Sequence, residues 1–89
     1  MERPEPYDIV VSRAGHDAGR LYMVTGTAED RLLLCDGRLR RLQNPKCKSP
    51  KHVRIAARGA TPPASDRMIR QTLALTAEKA AAKEVQVLG

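Results

Sequence analysis

Arg13-Ala14-Gly15-His16-Asp17-Ala18-Gly19-Arg20 is the stretch on which the reading of this chain turns. The octet separates two apolar runs, Tyr7-Asp8-Ile9-Val10-Val11 before it and Leu21-Tyr22-Met23-Val24 after it. Gly15 and Gly19 can take positive φ or admit a second backbone where a Cβ would clash, and Asp17 can hydrogen-bond its own backbone and favour the turn. The octet is therefore a loop that reverses the chain between two strands, Asp8 to Ser12 and Leu21 to Thr25. On the second strand Leu21, Met23 and Thr25 share one face, with Tyr22 and Val24 on the other. Arg13 and Arg20 place a cation on each side of the bend, a compact setting in which to meet phosphate.

Working outward, Gly26 to Asp30 is a turn of small and acidic residues, and Arg31-Leu32-Leu33-Leu34-Cys35 is an apolar strand, the most buried of the set. Asp36-Gly37 follows between two apolar runs; a type I′ turn needs positive φ at both central residues, so this dipeptide predicts a tight hairpin. The returning strand is Arg38-Leu39-Arg40-Arg41-Leu42, whose failed alternation predicts a twist or bulge near Arg41. Gln43 to Lys51 holds two prolines and cannot be a regular central strand, so it reads as an extended basic loop. His52-Val53-Arg54-Ile55 alternates polar and apolar and supplies a fifth strand. Five short strands in so few residues predict a mainly-β fold, a small and strongly bent barrel that removes its own exposed edges.

Residues 1–6 read as a disordered lead-in, 7–55 as the barrel and 56–64 as a linker. Ser65 or Asp66 caps a helix over 65–84, followed by a frayed end at 85–89. Met68, Ile69, Thr72, Leu73, Thr76 and Ala80 form one stripe of that helix, and Asp66 and Arg70 are an i,i+4 pair. The helix either docks on the barrel through Ile69 and Leu73 or waits for a partner.

Eighty-nine residues allow one domain. No apolar run is long enough to span a membrane, and Met1 to Pro6 lacks the apolar stretch of a secretory signal, so the chain reads as cytoplasmic. Cys35 and Cys47 are then expected to stay free. With two Tyr and neither Trp nor Phe, the core must come from Val, Leu, Ile and Met, and such a small core implies marginal stability. The formal net charge is +6, but its distribution is more telling. Arg38 to Arg58 carries eight of the sixteen Lys and Arg residues and no Asp or Glu. Such a block reads as a site for a polyanion, or more blandly as a solvated loop kept for solubility.

No enzyme signature survives inspection: there is no paired-carboxylate cleft and no nucleophile with a His and acid partner. Gly15 to Arg20 lacks the length of a nucleotide-triphosphate loop. A zinc site from Cys35, Cys47, His52 and His16 lacks the close ligand pairs of structural sites, and Cys35 in an apolar run reads as a core residue. Neither a metal nor another cofactor is expected.

Ala14 to Arg20, preceded by Ile9-Val10-Val11 and followed by Met23-Val24, resembles the KOW motif of ribosomal proteins and transcription elongation factors. Asp36-Gly37-Arg38-Leu39-Arg40-Arg41-Leu42, then Pro45-Lys46-Cys47-Lys48 and Lys51-His52, is closer still to the small bacterial KOW-domain RNA-binding proteins, similar to an archaeal/eukaryotic large-subunit ribosomal protein. The resemblance covers about Tyr7 to Ile55. It implies an SH3-like barrel that binds RNA, ribosomal RNA foremost, as a ribosomal-type or ribosome-associated translation protein.

The expected mechanism is phosphate neutralisation by a rigid surface. Arg13, Gly15, His16, Gly19 and Arg20 would line the first loop, Arg38, Arg40 and Arg41 the hairpin, and Lys46, Lys48, Lys51, His52 and Arg54 the basic loop and last strand. Arginine forks hold phosphate oxygens bidentately and lysines act as mobile point charges. Contact with about six phosphates would weaken binding roughly 10³-fold between 50 and 200 mM salt. Each group also has a plainer reading: the glycines serve the turn alone, His16 is a solvated polar residue, His52 fills the strand, and Arg41 packs its stem on the barrel. Scarce aromatics favour folded RNA over splayed single strands, and the lack of a basic groove-reading helix disfavours duplex DNA. The alternative function is a protein-interaction module, in which the barrel or the Ser65–Glu84 helix docks on a translation or transcription factor.

Overall fold

The two β-branched and apolar runs flanking the octet pair with each other in antiparallel register. In the computed structural model, which describes residues 3–88 and side chains through residue 81, β1 (Ile9–Ser12) sets Ile9 opposite Met23, Val10 opposite Tyr22 and Val11 opposite Leu21 of β2 (Leu21–Ala28). Met1, Glu2 and Gly89, the outer ends of the expected lead-in and frayed end, lie outside the described residues. β2 runs on through Gly26, Thr27 and Ala28, which the sequence assigns to a turn, and turns at Glu29-Asp30 into β3 (Arg31–Cys35). A bulge between Val24 and Gly26 accommodates the extension. β4 (Lys46–Lys48) pairs with β3, a 3₁₀ turn spans Pro50–His52, and β5 (Val53–Ala57) pairs with β1.

The strand order is β4-β3-β2-β1-β5, a five-stranded antiparallel sheet that is not closed into a barrel. That overturns the expected barrel, and the prolines supply a physical reason. Pro45 and Pro50 bracket β4 without backbone donors, so its ladder stops at three residues. The Pro50–His52 turn then carries the chain to the opposite edge of the sheet instead of into a ladder with β5.

The expected hairpin strand Arg38 to Leu42 is also absent. Asp36 Oδ1 accepts from the backbone N–H of Arg38 (2.8 Å) and of Arg40 (2.9 Å), while the Arg40 carbonyl accepts from the N–H of Asp36 (2.9 Å) and Gly37 (3.1 Å). These local bonds satisfy the donors that a ladder would have used, and Leu39 is left 74% exposed. The strand next to β3 is instead the Lys46-Cys47-Lys48 segment that reads as a loop.

Both faces of the sheet are apolar. One carries Val10, Tyr22, Val24, Leu32, Leu34 and Val53, with Ile55 packed against them. The other carries Ile9, Met23 and Cys35, which Ile69 and Leu73 of α1 (Asp66–Leu88) cover. A register shift between Ile9 and Val10 places Ile55 on the first face and Ala57 on the second. The helix thus docks on the sheet through the two residues its stripe predicts. Ser65 Oγ accepts from the Met68 N–H at 3.3 Å, the geometry of an N-cap. Asp66 and Arg70 both reach the 36–42 loop: Asp66 Oδ1 accepts from the Leu42 N–H (2.9 Å), and Arg70 Nη1 donates to the Gly37 carbonyl (2.7 Å). No helix among the described residues is long and apolar enough to cross a membrane.

Candidate nucleic-acid interface

The octet folds around Asp17. Gly15 and Gly19 take φ of +85° and +90°, and the Gly19 N–H donates to the Ser12 carbonyl at 2.8 Å, closing the loop. A Cβ at Gly19 would meet nothing within 4 Å, so glycine serves the backbone conformation there and no close neighbour. Asp17 does not bond its own backbone as expected. Its carboxylate turns inward and accepts from Ser12 Oγ (2.8 Å), Tyr22 OH (3.1 Å), Lys46 Nζ (2.7 Å) and Lys48 Nζ (2.9 Å).

Burial by itself would raise the Asp17 pKa, but the bonds from Lys46, Lys48, Ser12 and Tyr22 outweigh it and hold the carboxyl well below the usual carboxylate range. Tyr22 responds oppositely: burial first, then the Asp17 charge, pushes its hydroxyl up to about 12. Both lysines come from β4, where i,i+2 spacing puts them on the face of Leu32 and Leu34. Lys48 also donates to the Ala14 carbonyl (2.9 Å), and its side chain is only 11% exposed. Two cations of the predicted phosphate surface are therefore internal partners of one carboxylate, and they tie the β4 edge to the β1–β2 loop by side chains.

The remaining predicted residues divide. Arg13, Lys51 and Arg54 gather with Arg3 around a cleft of about 670 Å³, completed by Pro4, Pro50, Val53 and Ile55. The Arg13 N–H donates to the His52 carbonyl (2.8 Å), which locks the first loop to the 3₁₀ turn. His52 itself is exposed beside the cleft without lining it, and His16 is exposed in the octet. Among the described residues no acid lines the cleft, and no salt bridge engages Arg3, Arg13, Lys51 or Arg54. Three consecutive β5 residues, Val53, Arg54 and Ile55, border the cleft.

Arg20 and Arg38 lie elsewhere, around a hollow of about 310 Å³ shared with Arg70 and Asp36. Arg40 is half-buried in the 36–42 loop, and Arg41 is exposed with its Nε donating to the Arg38 carbonyl (3.3 Å). Cys35 is buried beneath α1, its Sγ 3.4 Å from the Arg41 carbonyl, and burial pushes its thiol pKa up. Cys47 is exposed on β4.

Sequence reasoning missed Arg3, which sits in the expected lead-in and has no local signal. It also missed Asp8, which is buried and fixes the approach to the cleft. Asp8 Oδ2 accepts from the Glu5 N–H (2.9 Å) and lies 3.2 Å from Arg58 Nη2, while Oδ1 accepts from the Gly59 N–H (3.2 Å). The Lys46-x-Lys48 spacing was a usable signal, since on any strand those two ammonium groups fall on one side. Compared with known proteins, the chain matches no family model and no curated protein.

Proposed function

We propose that this protein binds structured RNA, ribosomal RNA foremost, as a cytoplasmic ribosome-associated protein and not as an enzyme. The observation that carries the reading is the cleft where Arg3, Arg13, Lys51 and Arg54 converge, with no acid among the described residues that line it. A cluster of unneutralised cations on a fixed backbone attracts polyanions and releases their counterions. The KOW-like octet and the Lys51-His52 segment add the resemblance to KOW-domain RNA-binding proteins, and the octet supplies Arg13. Scarcity of aromatic rings favours folded RNA over single strands.

The internal role of Lys46 and Lys48 lowers the expected number of phosphate contacts from about six to about four. With four, affinity falls roughly 150-fold as salt rises from 50 to 200 mM. Changing Arg13, Lys51 and Arg54 together to Glu abolishes binding to a ribosomal RNA fragment, with circular dichroism unchanged. A flat salt response, or binding that survives this triple reversal, refutes the reading. Docking on a translation or transcription factor remains the alternative that exposed Leu75, 57% accessible on the outward side of α1, would serve.

A further inference from the structure

The cleft is more than a charged surface. Its rim is cationic, but Pro4, Pro50, Val53 and Ile55 give it an aliphatic wall, and its volume of about 670 Å³ lies within the range of about 300 to 1,000 Å³ typical of small-ligand pockets. A continuous RNA helix offers phosphates and 2′-hydroxyls, with its bases stacked inside. Docked here, it would satisfy the rim and leave Pro50 and Ile55, the part of the wall not already buried by the protein, facing water. Resting on the RNA-binding reading above, we infer that the cleft takes a single unpaired nucleotide displaced from a folded RNA.

The base of that nucleotide packs against the half-buried Pro50 and Ile55 side chains, and the phosphates on either side of it meet Arg13, Lys51 and Arg54. Guanidinium planes add stacking surface, which this chain needs because neither tyrosine lines the cleft. Both walls are held in place before RNA arrives. Arg13 is tied through its N–H to His52, and the chain around Pro4 is anchored by Asp8 to residues 58 and 59. Aliphatic and guanidinium contacts discriminate weakly among base faces, so the presence of the displaced base matters more than its identity.

The test titrates the full-length protein at one salt concentration with three RNAs: a perfect duplex, the same duplex with a one-nucleotide bulge, and that bulge with its base removed. The expected result is about tenfold tighter binding of the intact bulge, with the abasic bulge returning to the duplex value. A photoreactive uridine at the bulge should crosslink to Pro50–Ile55 or to Arg3-Pro4. Equal affinity for all three RNAs, or crosslinks confined to the Arg20, Arg38 and Arg70 hollow, overturns the displaced-nucleotide inference and leaves RNA binding standing. No measurable binding to any of the three overturns both. A tighter complex with a glutamate-rich peptide than with any RNA assigns the cleft to a protein strand and overturns both as well.

Discussion

Asp17 shows how one carboxylate redirects the meaning of distant residues. Removing its charge leaves Lys46 and a largely buried Lys48 without their anion, and breaking a buried pair costs more than the pair contributes. Asp17→Asn is expected to lower unfolding stability by about 3 kcal/mol in urea titration, an effect of the magnitude seen when one partner of such a pair is lost. The folded-state pKa of Asp17 is depressed, so its contribution is fully present above the unfolded carboxyl value of about 3.9 and is lost as pH falls from there toward the folded value. The gap in melting temperature between the native protein and Asp17→Asn should therefore be constant near neutrality and narrow below about pH 4. A gap that widens in acid would mean that the lysines are held by something else. Changing Lys46 and Lys48 to Ala should likewise reduce stability and leave the salt slope of RNA binding nearly unchanged.

The contact between α1 and the 36–42 loop decides the second element of interest. Gly37 has φ of +78°, and a Cβ there would collide with the Asp66 carbonyl and press on Arg70 Cγ at 2.9 Å. Gly37→Ala therefore combines backbone strain with a clash against helix backbone that cannot move aside cheaply. Gly19→Ala meets only the strain, about 1–2 kcal/mol. Parallel denaturant titrations should find the Gly37 variant the less stable by at least a further 1 kcal/mol, as overpacking usually adds 1–3. The same helix shields Cys35. A thiol reagent is expected to modify Cys47 quickly and Cys35 only through opening of the α1 interface. Leu73→Ala, which costs about 2–3 kcal/mol by removing a buried anchor, should accelerate the slow phase and spare the fast one. Equal acceleration of both would place the opening elsewhere.

As a whole the molecule holds two thin aliphatic cores on either side of one open sheet, with no Trp or Phe in the chain to thicken them. Small cores of this kind leave little net stability. Any ligand that binds only the folded state then raises the melting temperature visibly: RNA at a hundredfold excess over its dissociation constant adds about 2.7 kcal/mol. Calorimetry with and without an RNA ligand should show that rise at 50 mM salt and its disappearance at high salt. A salt-independent shift would point to a protein-like contact through the apolar surface instead.

Much of this was legible in the residues themselves. Ile9-Val10-Val11, Leu21 to Val24 and Arg31 to Cys35 declare strands by composition and alternation, and the Ile69 and Leu73 spacing declares the docked face of α1. Those are local signals, set by neighbours two to four positions away. What stayed hidden depends on groups brought together over tens of residues. Lys46 and Lys48 look like phosphate ligands until Asp17 comes within 3 Å of both. Asp36-Gly37 is the exception: it looks like a hairpin until its own Asp36 carboxylate takes the N–H groups of Arg38 and Arg40, a local competition between two turn geometries. Five strands look like a closed barrel until the prolines around β4 leave both sheet edges unpaired. Arg3 joins Arg13, Lys51 and Arg54 only because the chain around it is pinned through Asp8. Charge and periodicity foretell which residues are cationic or buried; which cation faces a carboxylate and which faces solvent is a matter of through-space distance, which no linear pattern encodes.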